Sequence, residues 1–221
     1  MAVGSSVPPS SFRIGDAVAL EVGLPCQECQ LCKEGRYNIC KKMSFRSSAK
    51  AYPHAQGTLQ ERINHPAQFC HRLPEELELD LGALLEPLGV AIHAGRRAGL
   101  PMGSNVLVFG AGAVGLLVAA VARIKGAKTV VIADIDEGRV EFAVENGFAD
   151  RAFVVPLRRG KDIEDSLAIA KELAASICKV KKVDGEDVGE LDAVFECTGV
   201  PACLQAAIYV RRYAIHSEPR W

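Results

Sequence analysis

The first ten residues, MAVGSSVPPS, lack the basic and then apolar stretches of a secretory leader, so a cytoplasmic location is expected. Net charge is almost absent: 26 Lys and Arg against 27 Asp and Glu leave -1. That excludes a global basic field for nucleic acid and gives no acidic tail. Aromatic residues are scarce, at 6%. Repeats and low-complexity tracts are missing. One uncharged apolar stretch, VLVFGAGAVGLLVAAVA at 106–122, nearly matches a membrane span in length. Gly110, Gly112 and Gly115 punctuate it, and it begins β-like and ends helix-like, so it reads as a buried strand–turn–helix. Neither a membrane nor a nucleic acid is expected as a partner.

The 221 residues are 49% hydrophobic and 24% charged, ordinary for a globular protein of one large or two smaller domains. Cysteine is the unusual component. Eight are present, and four fall between Cys26 and Cys40. Without a leader, such clustering points to metal or redox chemistry rather than to disulfides.

Residues 12–24 read as strand and turn, 26–40 as a cysteine lobe and 41–56 as loop. Short strands broken at Pro66 are expected over 57–73. A helix is expected over 80–99, with Leu81, Leu84, Leu85, Leu88 and Ile92 on one face and a kink or interruption at Pro87. From 105 onward strand and helix alternate: strands at 106–110, 129–134, 152–155 and 191–196, and helices at 113–125, 137–146, 162–178 and 201–209. Alternation of this kind predicts a parallel, doubly wound α/β sheet. The final residues, RRYAIHSEPRW, fit no element and begin where a further strand is due.

Cys26, Cys29, Cys32 and Cys40 stand as C-x2-C-x2-C-x7-C. Zinc takes four ligands at tetrahedral corners, and closely spaced thiolates wrap one ion in a short loop. Gly35 lets the chain turn back so that Cys40 closes the set. Four thiolates leave no open position, which makes the expected zinc structural. A redox C-x-x-C would need a helix N-terminus after a strand, and a nucleic-acid zinc ribbon would separate its cysteine pairs by a long hairpin. Neither context is present. Lys33, Arg36, Lys41, Lys42 and Arg46 nearby read as a solvated face.

Gly110-Ala111-Gly112-Ala113-Val114-Gly115 fits G-x-G-x-x-G. It follows an expected strand, opens an expected helix and precedes an acidic residue, Asp134, at the end of the next strand. Gly110 permits the tight turn, Gly112 lets a pyrophosphate approach the backbone, and Gly115 lets the helix pack on the strand. The helix N-terminus offers N–H groups to the phosphates. Asp134 is placed to accept the adenosine ribose hydroxyls and to repel a 2′-phosphate, so NAD is expected over NADP. Arg139 lies either along the adenosine edge or on the plain surface.

With these two signals in this order, the chain resembles the zinc-containing medium-chain alcohol dehydrogenases over nearly all of residues 1–210. CKEGRYNIC, GTLQERINHPAQFCHRLP and GALLEPLGVAIHAGRRAG look like the sorbitol, xylitol and arabinitol (polyol) dehydrogenase branch; VLVFGAGAVGLL, VVIADIDEGRVEFA and VFECTG resemble the cofactor domain. The resemblance implies part of a mainly β, GroES-like catalytic domain at 1–88, part of an NAD-binding Rossmann domain at 89–210, and a divergent tail at 211–221. It implies that Val114 lies near the cofactor beside Gly112 and Gly115. It also implies that Glu86 sits near the catalytic zinc and its substrate; read from the residues alone, Glu86 is equally a helix-terminus carboxylate. The activity implied is zinc-assisted hydride transfer from the secondary hydroxyl of a sugar alcohol to NAD, giving a ketose, by a homo-oligomer. Another zinc-dependent alcohol or threonine dehydrogenase is the nearest alternative. The family's catalytic-zinc ligands, an early Cys and the His-Glu of a G-H-E motif, have no counterpart among His54, His65, His71, His93 or His216. The chain therefore reads as shortened at both ends. It is expected to be inactive by itself, and a further alternative is a zinc-stapled nucleotide-binding or interaction module.

Overall fold

A computed structural model describes residues 2–47 and 52–211. The tail from 212 onward, part of the 41–56 loop and His216 lie outside the described residues. The chain divides between Glu86 and Pro87 into two compact units.

In the first unit, β1 (Val18–Leu20) pairs antiparallel with β4 (Cys70–Arg72), and β2 (Gly23–Leu24) pairs antiparallel with β3 (Ser44–Phe45). Between β2 and β3 lie one turn of helix, α1 (Gln30–Lys33), and a 3-10 turn, Tyr37–Ile39. The segment 57–73 departs from the expected short strands. Its only strand is β4, preceded by a 3-10 turn at Ala67–Phe69. The reason lies in the hydrogen bonds: the carbonyls of Gln56 and Asn64 accept from the Arg46 guanidinium, each at 3.0 Å. A backbone held by a side chain is not free to pair with a strand.

Two helices, α2 (Leu79–Gly82) and α3 (Leu85–Ala98), replace the single helix expected over 80–99. The interruption expected at Pro87 falls at residues 83–84, just ahead of it. Pro87 itself stands in the first turn of α3, where an N–H has no intrahelical partner to lose. The packed face also differs from the leucine stripe. Of that stripe Leu88 packs against the core, but Leu81, Leu84, Leu85 and Ile92 are exposed, whereas Ala91 is fully buried and Gly95 is buried where a β-carbon would meet Val121 at 2.9 Å. Small residues let a helix approach closely, and that approach left most of the larger side chains outside.

The second unit is a four-stranded parallel sheet in the order β7-β6-β5-β8. Its strands are β5 (Asn105–Phe109), β6 (Thr129–Asp134), β7 (Arg151–Val154) and β8 (Ala193–Glu196). Continuous apolar runs in β5 and β6 suit strands covered on both faces. Alternate residues serve opposite layers. Val106, Val108, Val130 and Ile132 pack with Val118, Ala119 and Ala122 of α4 (Ala113–Ile124) and with Val140 and Ala143 of α5 (Glu137–Glu145). Leu107, Phe109, Val131 and Ala133 pack with Ala170, Ala174 and Ile177 of α6 (Ile163–Cys178) and with Cys203 and Ala206 of α7 (Pro201–Tyr209). Leu107→Ala is expected to cost roughly 2–5 kcal/mol, since its side chain is wholly buried mid-sheet. Urea unfolding measures this, and a loss under about 1 kcal/mol would contradict the packing described.

Aspartates cap the helices where the sequence supplies them. Asp136 accepts from the Arg139 N–H at the start of α5, and Asp162 from the Asp165 N–H at the start of α6. Helix α4 differs. Its N-cap is Gly112, which offers no side-chain hydrogen bond. The first-turn N–H groups of α4 are thus left facing the C-terminal end of the sheet, where a ligand belongs in an open α/β fold. Among the described residues, no helix is long and apolar enough to cross a membrane.

Candidate zinc centre and nucleotide cleft

Each unit carries one candidate site. In the first, the cysteine lobe folds around its own sulfurs. Gln27 takes a positive φ of 63°, and the N–H groups of Glu28 and Cys29 turn toward the Cys26 sulfur. Gly35, at φ 74°, reverses the chain, and the 3-10 turn delivers Cys40. The Cys26 N–H in turn reaches the Cys40 sulfur at 3.5 Å.

The four sulfurs lie within 4.8 Å of one another. The pairs Cys26–Cys40 and Cys29–Cys32 are 3.5 Å apart, and Cys26–Cys32 and Cys29–Cys40 are 3.9 Å apart. A tetrahedron with zinc–sulfur bonds near 2.3 Å has edges of about 3.8 Å, so the spacing fits that ion. No disulfide joins them. The sulfurs do not share charge evenly. Hydrogen bonds from the Glu28 and Cys29 backbone draw the Cys26 thiol down to about 6, whereas burial, and then the neighbouring sulfurs, push Cys32 up to about 12. One sulfur sheds its proton readily, and another keeps its own, first because burial disfavours the charge. Holding four thiolates at this separation requires a cation. Among the described residues, these cysteines are the one group of three or more His, Cys, Asp or Glu side chains whose ligand atoms converge.

In the second unit, a cleft of about 1080 Å³ opens at the C-terminal ends of β5, β6, β7 and β8. Gly110 and Gly112 line it, with Asp134, Ile135 and Arg139 from the end of β6 onward. Gly110 leaves the strand at φ 97°. A β-carbon on Gly115 would fall 1.8 Å from the Gly110 carbonyl oxygen, so α4 and the turn are in contact there. A β-carbon on Gly112 would meet nothing within 4 Å, which leaves open space above the turn for a ligand's phosphates. Val114 is in the first turn of α4, part-exposed, and does not line the cleft. Glu86 is in the first turn of α3 with its side chain exposed.

Asp134 is fixed before any ligand arrives. One carboxylate oxygen accepts the Ala111 N–H of the glycine turn at 2.7 Å, and the other accepts the Asp136 N–H at 3.1 Å. Each oxygen keeps lone pairs for further donors. Arg139 runs along the cleft edge, 3.8 Å from the Asp136 carboxylate.

Several lining groups were not singled out from the sequence: Val155, Leu157 and Arg159 after β7, and Cys197, Thr198 and Val200 after β8. The available signal was position, since each follows the C-terminal end of a parallel strand. Both cysteine thiols on this side of the cleft have raised pKa values. Burial, and then the nearby Glu196 carboxylate, holds Cys197 up at about 11, and burial likewise raises Cys203.

Residues 1–75 match the Alcohol dehydrogenase GroES-like domain, and residues 113–214 match the Zinc-binding dehydrogenase family. The chain belongs to the zinc-containing medium-chain dehydrogenases. It is similar, at 48% identity over 211 residues, to D-xylulose reductase A of Aspergillus niger, covering 95% of this chain and 53% of that protein. Galactitol-1-phosphate dehydrogenase from Escherichia coli superposes with a TM-score of 0.70 at 28% identity, over 95% of this chain and 53% of that one. A protein from Escherichia coli CFT073, described as a short chain alcohol dehydrogenase and solved with NADH, superposes with a TM-score of 0.71 at 25% identity, over 95% of this chain and 54% of that one. The chain thus spans about half the length of the curated relatives it matches. The fold is the family's: part of a GroES-like unit followed by a partial Rossmann unit.

Proposed function

We propose that the whole protein is an NAD-dependent polyol dehydrogenase, oxidising a secondary hydroxyl of a sugar alcohol to a ketone. The observation that carries this is the cleft. A glycine turn, an uncapped helix N-terminus and a fixed aspartate converge at the C-terminal ends of parallel strands. Similarity to D-xylulose reductases and to a galactitol-1-phosphate dehydrogenase supports the substrate class. Bound NAD supplies the hydride acceptor. The chain's own residues bind and orient it: the first turn of α4 receives the pyrophosphate, the Asp134 carboxylate takes the ribose hydroxyls, and Ile135 and Thr198 flank the nucleoside.

Cys26, Cys29, Cys32 and Cys40 hold a structural zinc in this reading. Their four thiolates fill a tetrahedral shell, so a metal that polarises the substrate hydroxyl must have other ligands. Glu86 is proposed to face that second metal and the substrate. All eight cysteines are free, which suits a reducing compartment such as the cytoplasm. Assembly as a homo-oligomer belongs to the same proposal.

Calorimetric titration tests the cleft. NAD is expected to bind at least about tenfold tighter than NADP, because a 2′-phosphate beside the Asp134 carboxylate is repelled. Asp134→Ala is expected to bring the two affinities within about threefold and to weaken NAD by roughly tenfold, since a hydrogen bond to a charged group is worth about 1.5–3 kcal/mol. Equal affinity for both cofactors in the unaltered chain would remove Asp134 from the ribose.

A further inference from the structure

The turn after β8 is held by one side chain that does not line the cleft. Glu196 is the last residue of β8, opposite Phe109 of β5, and the chain must reverse within four residues to start α7 at Pro201. The Glu196 carboxylate folds back over that reversal. Oε1 accepts the Thr198 N–H at 2.8 Å and the Thr198 hydroxyl, and Oε2 accepts the Gly199 N–H at 3.0 Å. The Thr198 oxygen then accepts the Val200 N–H at 3.0 Å. Gly199 completes the turn at φ 71°. Helix α7 has no side-chain cap at Val200, so the chain entering it is fixed by Glu196 and Thr198 instead.

The geometry of this turn sets one wall of the cleft. Cys197, Thr198 and Val200 line it, facing Asp134 and Ile135 across the glycine turn, while Glu196 itself does not. The wall presses on that turn. A β-carbon on Gly110 would lie 3.1 Å from the Thr198 methyl and 3.3 Å from the Cys197 carbonyl oxygen. The Thr198 hydroxyl is engaged within the turn, and its methyl faces Gly110.

We propose that Glu196 is a positioning residue for the dinucleotide: it sets cofactor affinity by fixing Thr198 and Val200 against the glycine turn, without touching the cofactor. This rests on the reading of the cleft as the NAD site. Two physical effects of removing its charge have opposite signs, which makes the role measurable. By Coulomb's law alone, losing a carboxylate near the cleft tightens binding of a doubly charged pyrophosphate. Losing the carboxylate as an acceptor loosens the wall and weakens binding, because an amide has only one accepting oxygen for three donors.

The experiment titrates NAD, and separately ADP-ribose, into the zinc-loaded full chain and into Glu196→Gln, Thr198→Val and Thr198→Ser. All titrations run at a temperature where each variant keeps the far-UV spectrum of the parent. Glu196→Gln and Thr198→Val are expected to raise Kd for both ligands about tenfold, and Thr198→Ser, which keeps the hydroxyl but gives up the methyl that faces Gly110, by a smaller factor of about three. If Glu196→Gln does not fold, the two Thr198 variants carry the comparison. Unchanged or tighter binding by Glu196→Gln overturns the proposal while leaving the cleft intact. A loss in Thr198→Ser as large as in Thr198→Val assigns the effect to the methyl group and overturns it also. Failure of the unaltered chain to bind either ligand overturns the cofactor reading itself, and this role with it.

Discussion

Gly112→Ala and Gly115→Ala are expected to fail in different ways, although only two residues separate them. At Gly115 a methyl group has nowhere to go. Its carbon would fall 1.8 Å from the Gly110 carbonyl oxygen and 2.9 Å from the carbonyl carbon, and both belong to backbone that cannot rotate aside. The first turn of α4 must lift from the strand, and Gly110, already at φ 97°, must move with it. Overpacking of this kind costs typically 1–3 kcal/mol and more where backbone is displaced, so a loss of about 3 kcal/mol or more is expected, with nucleotide binding lost alongside. At Gly112 the backbone lies in the extended region, φ -79° and ψ -178°, and a methyl meets nothing within 4 Å. The variant should fold as the parent does, or gain roughly 0.4–1 kcal/mol from a less flexible unfolded chain. Its methyl would occupy the space into which the pyrophosphate must come, so NAD affinity should drop by about tenfold or more. Urea denaturation and calorimetry on the two proteins separate the effects. Parent-like affinity in Gly112→Ala would move the pyrophosphate elsewhere, and parent-like stability in Gly115→Ala would mean that helix and strand are less closely apposed.

The contrast shows what kind of information the sequence carries. Local chemistry was legible. Strand β6 spans Thr129–Asp134 as read from its apolar run, because Gly126 on one side and the acidic residue on the other punctuate it. The convergence of four sulfurs follows from short spacings that leave the chain little freedom. What could not be read was whatever depends on a partner distant in sequence. The stripe of Leu81, Leu84, Leu85, Leu88 and Ile92 has a helical period, yet only Leu88 of it packs on the core and full burial went to Ala91 and Gly95, because closeness to Val121 of α4 decided it. Arg46 claims the carbonyls of Gln56 and Asn64 from up to eighteen residues away, and no periodicity announces that. The cleft wall at Thr198 and Val200 likewise becomes visible only once β8 lies next to β5 rather than in chain order. Asp134 was read for its charge, but its hydrogen bond to Ala111 ties the glycine turn to β6, a link that joins two elements twenty-three residues apart.

Replacing Cys40 with serine is expected to have the largest effect on the first unit. The unaltered chain should carry one zinc ion, since four sulfurs stand at about tetrahedral spacing and fill its shell. Cys40 is the most buried of the four, at 7% exposure, and its sulfur accepts the Cys26 N–H. Serine keeps the size but not the chemistry. A hydroxyl does not ionise near neutral pH, so the fourth corner of the tetrahedron would be neutral, hard and shorter in reach. The small strands β1 to β4 contribute little core of their own; among the described residues of this unit, the buried apolar side chains are Pro25, Cys40, Phe69 and Leu73. A lobe so lightly packed depends on its ion. Apparent binding free energies of structural zinc in small domains are on the order of 10 kcal/mol, well above the 2–5 kcal/mol of a single large core truncation. Cys40→Ser should therefore lose its zinc by atomic absorption, and proteolysis should cut within 26–47 while a fragment covering 87–211 persists. Treating the unaltered chain with a strong chelator should give the same cleavage pattern. A Cys40→Ser protein that retains one zinc per chain, or a chelated chain as resistant to proteolysis as the parent, would show that the lobe stands without the metal.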